Sequence, residues 1–198
     1  FNIYWMTYEQ TKDFDVGMKP HARFPNQQKM NITKPLLADV IDSVNKSMMV
    51  RRRPFPFYNI EIKTNPLGDG VFHPKPEAFV DLLMSIINEK GIAEQVIIQS
   101  FDFRNLKYLH QKYPDIKTSF LVEASDKRTC NELISELGFI PAVYSPAYQL
   151  VNAELIKEFH ANKIKVIPWT VNDKSTMEKL KKMGVDGLIS DYPNLFNE

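Results

Sequence analysis

The amino-acid sequence predicts an α/β protein, a TIM-type (β/α)8 barrel of which about six of the eight strands are present. Short apolar stretches alternate with segments in which apolar residues recur at helical spacing, and this alternation is typical of parallel strands joined by right-handed crossovers. An open doubly wound sheet would show the same alternation. No glycine-rich phosphate loop follows any predicted strand, however, so the nucleotide-binding form of the open sheet lacks its signature. Six strand–helix units after a leading helix also match an eight-stranded barrel without its first two strands.

The first predicted strand covers residues 58–64, because alternating residues there lie between Pro56 and Pro66. The other predicted strands cover residues 96–101, 117–123, 142–148, 165–171 and 187–191. The predicted helices cover residues 7–14, 35–48 and 75–90, then from Asp102 through His110, from Ser125 or Asp126 to Gly138, and residues 150–162 and 173–183. Residues 1–34 otherwise read as a long loop, and long loops in compact domains are often functional.

Composition excludes several classes of function. At 198 residues, with 43% hydrophobic and 25% charged residues, the chain is long enough to bury a sizeable core. Its formal net charge of +1 gives no field that would steer it to nucleic acid or to an anionic membrane. The sequence contains no run of about 18 apolar residues, so no integral membrane segment is predicted in residues 1–198. The lone Cys130 cannot form a disulfide within residues 1–198, and the oligomeric state stays open.

The strand at residues 58–64 places two opposite charges on one face. Successive strand residues point to opposite faces, so Glu61 and Lys63 lie with Asn59 on one side and Ile60 and Ile62 on the other. On a solvated strand this pattern would be an exposed ion pair. In a parallel barrel the polar face points into the lumen, and charges at the carboxyl end of such a strand indicate chemistry.

The residues that end the predicted strands are the candidates for a site, because active sites of such barrels lie at the carboxyl ends of the strands. They are Glu61, Lys63, Ser100, Phe101, Glu123, Tyr148, Trp169, Asn172 and Asp191. Acids, a lysine and large aromatics around one rim suggest a metal-assisted reaction on an anionic ester. Glu61 would bind the metal through oxygen, and Lys63 would be a point charge on a phosphate. Glu123 and Asp191 could equally cap the segments that follow them.

Four motifs carry a resemblance to a known family. They are Asn59-Ile60-Glu61-Ile62-Lys63, Val96-Ile97-Ile98-Gln99-Ser100-Phe101-Asp102, Trp169-Thr170-Val171-Asn172-Asp173 and Gly184-Val185-Asp186-Gly187-Leu188-Ile189-Ser190-Asp191-Tyr192-Pro193. In order, spacing and identity they resemble the glycerophosphodiester phosphodiesterase family, within the phosphatidylinositol-phospholipase-C-like phosphodiesterase superfamily. The resemblance extends over nearly the whole chain.

The resemblance implies hydrolysis of glycerophosphodiesters to sn-glycerol 3-phosphate and an alcohol, with a divalent cation such as Mg or Ca. It implies that Glu61 binds the metal and that Lys63, Trp169, Phe101, Ser100 and Asn172 contact the substrate, a small molecule. It also implies one phosphodiesterase barrel domain over residues 1–198. Residues 1–34 would be the tail of a covering insertion, and residues 35–198 would supply strands three to eight with their helices.

The sequence departs from the family where acid–base chemistry is expected. The two histidines of the family, in a His-Arg and a His-Asp pair, are missing from it, as is the Glu-x-Asp pair that completes the metal site. The four histidines present stand in other contexts, at His21, His73, His110 and His160. One Glu with waters would hold a hard cation weakly. We therefore expect the acid–base histidines upstream of Phe1, in a protein of which this chain is a part.

Three other interpretations stay open. The first is a phospholipase-D-like lipid phosphodiesterase of the same superfamily, acting on lysophospholipids or sphingomyelin. The second is a non-catalytic phosphoester-binding barrel that keeps Lys63 and Trp169 but has no acid–base groups. The third is a barrel of another hydrolase or isomerase family. The family resemblance also leaves the compartment open, with a periplasmic or secreted location favoured over the cytoplasm.

Overall fold

The computed structural model describes residues 1–196, which divide into two compact units. Unit 1 comprises Phe1–Pro56 and Pro66–Ile92. Unit 2 comprises Phe57–Asn65 and the chain from Ala93 onward. A single barrel domain over residues 1–198, with a covering insertion in its first 34 residues, stays a prediction.

Unit 1 is helical. Its helices are α1 (Tyr8–Thr11), α2 (Leu37–Val50) and α3 (Pro76–Lys90). The helix predicted at 7–14 is only four residues long, and Thr7 caps it reciprocally with Gln10. Helix α3 begins on Pro76, which suits a first turn, and ends at Gly91 with a φ of 64°, where glycine avoids a steric cost. Lys90 at its end lies 2.7 Å from Asp42 of α2.

The long loop of unit 1 is closed by a carboxylate. Asp15 accepts hydrogen bonds from the backbone N–H groups of Gly17, Met18 and Ile32 at 2.9–3.1 Å. The bond from Ile32 and those from Gly17 and Met18 lower the pKa of Asp15. Gly17 is required by close approach, because a Cβ there would lie 2.1 Å from the carbonyl oxygen of Met30. The loop therefore has defined internal contacts.

Unit 2 is built on a parallel sheet of five strands in sequential order. The strands are β1 (Tyr58–Glu61), β2 (Val96–Ser100), β3 (Lys117–Val122), β4 (Val143–Pro146) and β5 (Lys165–Val166). All neighbouring pairs are parallel, and Glu61 lies opposite Gln99 in the β1–β2 register. This strand order and the helices between the strands confirm the predicted α/β barrel architecture.

The described part of unit 2 has four α-helices, of which the first three connect β2 to β5 and the fourth follows β5. They are α4 (Phe103–Lys112), α5 (Cys130–Leu137), α6 (Ala153–Ala161) and α7 (Lys174–Met183). Asp102 caps α4 as predicted, by accepting from the N–H of Arg104 at 3.0 Å. The predicted cap of α5 by Ser125 or Asp126 is wrong. Thr129 and Glu132 form a capping box there, because the Asp126 carboxylate is bound to the Arg128 guanidinium.

The prediction of about six strands is corrected to five among residues 1–196. Strand β5 covers only the start of the predicted 165–171 segment, since Pro168 has no N–H for the ladder. Residues 187–191 are not a strand but still bond to the chain that follows β5. The Ile189 N–H donates to the Pro168 carbonyl, and the Ile189 carbonyl accepts from the Val171 N–H, both at 2.9 Å. The backbone follows the path of a sixth strand without forming one.

The core of unit 2 contains the chain's one cysteine. Cys130 is 2% exposed, and burial raises the pKa of its thiol to about 11. Because the thiolate is the reactive form, we expect native Cys130 to react with an aromatic disulfide reagent at pH 8 about 100-fold more slowly than in unfolded protein. Mass spectrometry of the peptide that contains Cys130 measures this rate. Equal rates in native and guanidinium-unfolded protein would contradict the burial.

Candidate active site at the carboxyl ends of the strands

A cavity of about 230 Å³ lies in unit 2 at the carboxyl ends of the strands. Parallel strands bring their carboxyl ends to one edge, so residues distant in sequence meet there. The cavity is lined by Glu61, Lys63, Gln99, Phe101, Leu121, Glu123, Trp169, Thr170 and Ile189. Five of the candidate site residues predicted from the sequence are thus brought together, namely Glu61, Lys63, Phe101, Glu123 and Trp169.

The end of β1 contributes the two charges. Glu61 and Lys63 line the cavity, while Ile62 between them is 1% exposed and packs in the core. This alternation follows from the pleat of the strand. Asn59, two residues earlier on the same face, donates to the Gln99 side-chain oxygen at 2.9 Å. The predicted polar face of this strand therefore lies on the cavity side.

The end of β2 contributes Phe101 and Gln99, and not Ser100. Ser100 is completely buried, and its Oγ donates to the carbonyl of Ile62 at 2.7 Å. The same oxygen accepts from the N–H of Asp102 and the side-chain amide of Asn105. A hydroxyl has one proton to donate, and here it is already used. The structure places the predicted substrate contact Ser100 behind the cavity wall.

Trp169 is fixed from two sides. Its indole Nε1–H donates to the carbonyl of Ser145 at 2.9 Å, and its ring meets Phe101 edge to face at a centroid distance of 5.4 Å. Its backbone is anchored by a bridge to Ala147. The faces of such aromatic rings can contact an apolar or cationic group. Trp169 and Phe101 form the aromatic wall of the cavity.

Asn172 does not line the cavity. Its side-chain amide donates to the Asp191 carboxylate at 2.8 Å, and its oxygen accepts from the Asp191 N–H at 2.9 Å and the Ser190 hydroxyl at 3.2 Å. The predicted site residues Asn172 and Asp191 thus bind one another. Tyr148 likewise packs against a small apolar cluster around Val171. The bonds of Asn172 therefore join the chain just after Thr170 to the chain just after Ile189.

Gln99 lines the cavity but is not among the candidates predicted from the sequence, whereas Glu123 is one of them, with a capping role as its alternative. Glu123 follows β3 and lines the cavity together with Glu61, so two carboxylates face the same space. Gln99 is 9% exposed and joins β1 to β2 through Asn59. The signal was strand alternation, because Gln99 and Phe101 share a face, as do Leu121 and Glu123.

The cavity offers oxygen ligands of the kind that Mg²⁺ and Ca²⁺ prefer, but too few of them. Glu61 and Glu123 supply carboxylates, whereas these cations take six or more oxygens. Within residues 1–196 no three His, Cys, Asp or Glu side chains come together as a metal-binding group. The described residues therefore fit a metal in donor type and provide part of a coordination shell.

The histidines of unit 2 have other roles. His110 stacks on Phe139 with ring centroids 3.9 Å apart, and His160 lies 2.8 Å from the Asp186 carboxylate. In unit 1, His73 is buried, and His21 lies against Phe24. No histidine is among the described residues that line the cavity. The part of the chain that the structure describes thus places no acid–base histidine in this cavity.

Solved structures identify the class of fold. A structure of the glycerophosphoryl diester phosphodiesterase type from Silicibacter pomeroyi matches with a TM-score of 0.81 at 23% identity, covering 96% of this chain and 66% of the other. An Oleispira antarctica phosphodiesterase, solved with the product sn-glycerol-3-phosphate, matches with a TM-score of 0.73 at 20% identity, covering 99% and 72%. The fold is that of the (β/α)8-barrel phosphodiesterases.

The chain belongs to the glycerophosphoryl diester phosphodiesterase family, whose model matches residues 3–195. A glycerophosphodiester phosphodiesterase of Caldanaerobacter subterraneus is 30% identical over 190 residues, which are 94% of this chain and 68% of that protein. One from Bacillus subtilis is 26% identical over 198 residues, covering 97% of this chain and 64% of that protein. The chain thus spans about two thirds of the length of these relatives.

Proposed function

We propose that the protein hydrolyses glycerophosphodiesters to sn-glycerol 3-phosphate and an alcohol with the help of a divalent cation, Mg²⁺ or Ca²⁺. The carrying observation is the cavity that combines Glu61, Lys63, Phe101 and Trp169 in a chain of this family. A carboxylate, an ammonium and an aromatic wall match the metal, phosphate and organic parts of such a substrate. The names of the relatives support the same activity.

Each cavity group has a task in this proposal. Glu61 binds the cation, and Glu123 is a second ligand on the same cavity. Lys63 binds the phosphate as a point charge, which suits an ammonium with three donors. Phe101 and Trp169 pack against the glycerol or the head group. A cation, when bound, would neutralise charge on the phosphate and polarise it.

The test is an assay of the full-length protein with glycerophosphocholine, coupled to detection of sn-glycerol 3-phosphate. We expect release of this product, loss of activity after chelation, and recovery with Mg²⁺ or Ca²⁺. Release of ceramide phosphate from sphingomyelin, without glycerol 3-phosphate, would instead assign the protein to the phospholipase-D-like class.

One observation favours a second candidate, a non-catalytic module that binds phosphoesters. The cavity has no histidine among its described lining residues, and histidine usually supplies the acid and base near neutral pH. Calorimetric binding of sn-glycerol 3-phosphate by full-length protein, with no turnover of glycerophosphocholine at any metal concentration, would establish this alternative.

Removing the aromatic wall should weaken catalysis on small substrates. We expect Trp169→Ala to lower kcat/KM for glycerophosphocholine by more than about tenfold, because tryptophan is the largest of the side-chain types among the described residues that line the cavity. Trp169→Phe is the matched control, since it keeps a ring and loses only the bond to the Ser145 carbonyl. An unchanged kcat/KM in Trp169→Ala would place this ring in the ordinary core.

A further inference from the structure

A buried polar network lies directly behind the part of the cavity wall formed by β1 and β2. It comprises Thr64, Ser100, Asp102 and Asn105. Thr64 is 8% exposed, and Ser100 and Asn105 are fully buried. None of these side chains lines the cavity. We propose that Asn105, Ser100 and Thr64 are positioning residues that hold Lys63 in place for the phosphate, an inference that rests on the proposed function.

The network holds the chain on both sides of Lys63. Immediately before it, the carbonyl of Ile62 accepts from the Ser100 hydroxyl at 2.7 Å. Immediately after it, the Thr64 hydroxyl donates to the Asp102 carboxylate at 2.7 Å. Lys63 itself lies beyond Glu61, the last residue paired in β1. Side-chain hydrogen bonds therefore take the place of the backbone β-ladder on either side of Lys63.

Asn105 ties these two anchors together. Its side-chain N–H groups donate to the Thr64 hydroxyl at 2.7 Å and to the Ser100 hydroxyl at 3.0 Å. Its own side-chain oxygen is buried and has no partner among the described residues. An unpaired buried acceptor is costly, and an apolar residue at this position of α4 would avoid that cost. The contribution of Asn105 therefore comes from its two hydrogen bonds, which link Thr64 to Ser100.

The proton count excludes direct contact with substrate. The Ser100 and Thr64 hydroxyl protons are both used, and both amide protons of Asn105 are used. Burial alone would raise the pKa of Asp102, but bonds from Arg104 and Thr64 outweigh it and lower that pKa. The Asp102 carboxylate is therefore charged at neutral pH and accepts a hydrogen bond from the Thr64 hydroxyl. The network can act on the reaction only through the residues it holds.

The test compares Thr64→Val, which removes the hydroxyl at nearly constant shape, with Thr64→Ser, which keeps it. In full-length protein we expect Thr64→Val to lower kcat/KM for glycerophosphocholine about 5–20-fold, with the loss divided between KM and kcat in the same way as in Lys63→Met, because the network acts through Lys63. Thr64→Ser should stay within about twofold of wild type. In a Lys63→Met background Thr64→Val should have no further effect. Equal factors for Thr64→Val in both backgrounds would overturn the inference.

Hydrogen exchange of the Ile62 amide, which precedes Lys63 and donates to the Gln99 carbonyl at 2.9 Å, separates this inference from the proposed function. Protection should fall at least about tenfold in Thr64→Val and be retained in Thr64→Ser, and unchanged protection in Thr64→Val overturns the positioning role. An unchanged KM in Lys63→Met would contradict the phosphate role of Lys63, and the exchange result then decides the positioning role by itself. If Thr64→Val does not fold, as judged by thermal melting, Ser100→Ala is used in the same design.

Discussion

Glu61→Gln is expected to lower kcat/KM for glycerophosphocholine by more than about 100-fold. The substitution keeps the size of the side chain and one of its oxygens, and it removes the negative charge that favours binding of a hard divalent cation. Even residues that only orient metal ligands cost 10–100-fold in affinity or activity when they are replaced, so a direct ligand should cost at least as much. Activity should be measured after chelation as Mg²⁺ or Ca²⁺ is added back. The half-saturating metal concentration should rise together with the loss of rate.

The matched control is Glu94→Gln, which removes an exposed carboxylate that does not line the cavity. It should leave both rate and metal dependence unchanged. Glu123→Gln asks whether the second carboxylate of the cavity shares the cation, and a rise in the half-saturating metal concentration would place it in the coordination shell. Metal dependence that is the same in Glu61→Gln as in wild type would exclude Glu61 as a ligand.

The alternation of side chains along one strand made the two charged residues of β1 and its end predictable as cavity residues. The alternation of residues 58–64 puts Glu61 and Lys63 on one face, and both line the cavity. The same rule, applied to β2, would have excluded Ser100, since it and Phe101 are adjacent and face opposite sides. The rule would have selected Gln99 as a cavity residue in place of Ser100, because Gln99 shares a face with Phe101. Proximity to the carboxyl end of a strand is not a sufficient criterion for a site residue. The alternation of side chains between the two faces of the strand decides which of the last residues point into the lumen.

Tertiary contacts decided what local patterns could not. Asp126 is as good a helix cap as Thr129 by residue type, but the Arg128 guanidinium binds it and leaves the cap to Thr129. Asn172 carried the family resemblance and faces Asp191 instead of the cavity. Asn172 and Asp191 are distant in sequence, and Arg128 competes locally for the Asp126 carboxylate, so no periodicity in the sequence reveals either contact.

Lys63→Met should be about as damaging as the loss of Glu61, because it removes the one ammonium among the described residues that line the cavity. A charged donor directed at a phosphate gains strength in the transition state, and removing a comparable donor in other enzymes costs about 10²–10³ in kcat, or roughly 3–4 kcal/mol. Part of the loss should appear in KM, since the diester is also an anion in the ground state. Steady-state kinetics on glycerophosphocholine and calorimetric titration with sn-glycerol 3-phosphate measure the two parts separately.

Lys117→Met is the control for this prediction. Lys117 is exposed at the opening of β3, at the amino end of the sheet and therefore at the edge away from the cavity. The Lys117→Met substitution removes the same charge from the protein as Lys63→Met, and it should leave both the steady-state kinetics and the affinity for sn-glycerol 3-phosphate unchanged. Affinity for sn-glycerol 3-phosphate that is equal in Lys63→Met, Lys117→Met and wild type would mean that the phosphate is bound elsewhere. A loss confined to Lys63→Met would instead show that a local contact, and not net charge, holds the anion in this cavity.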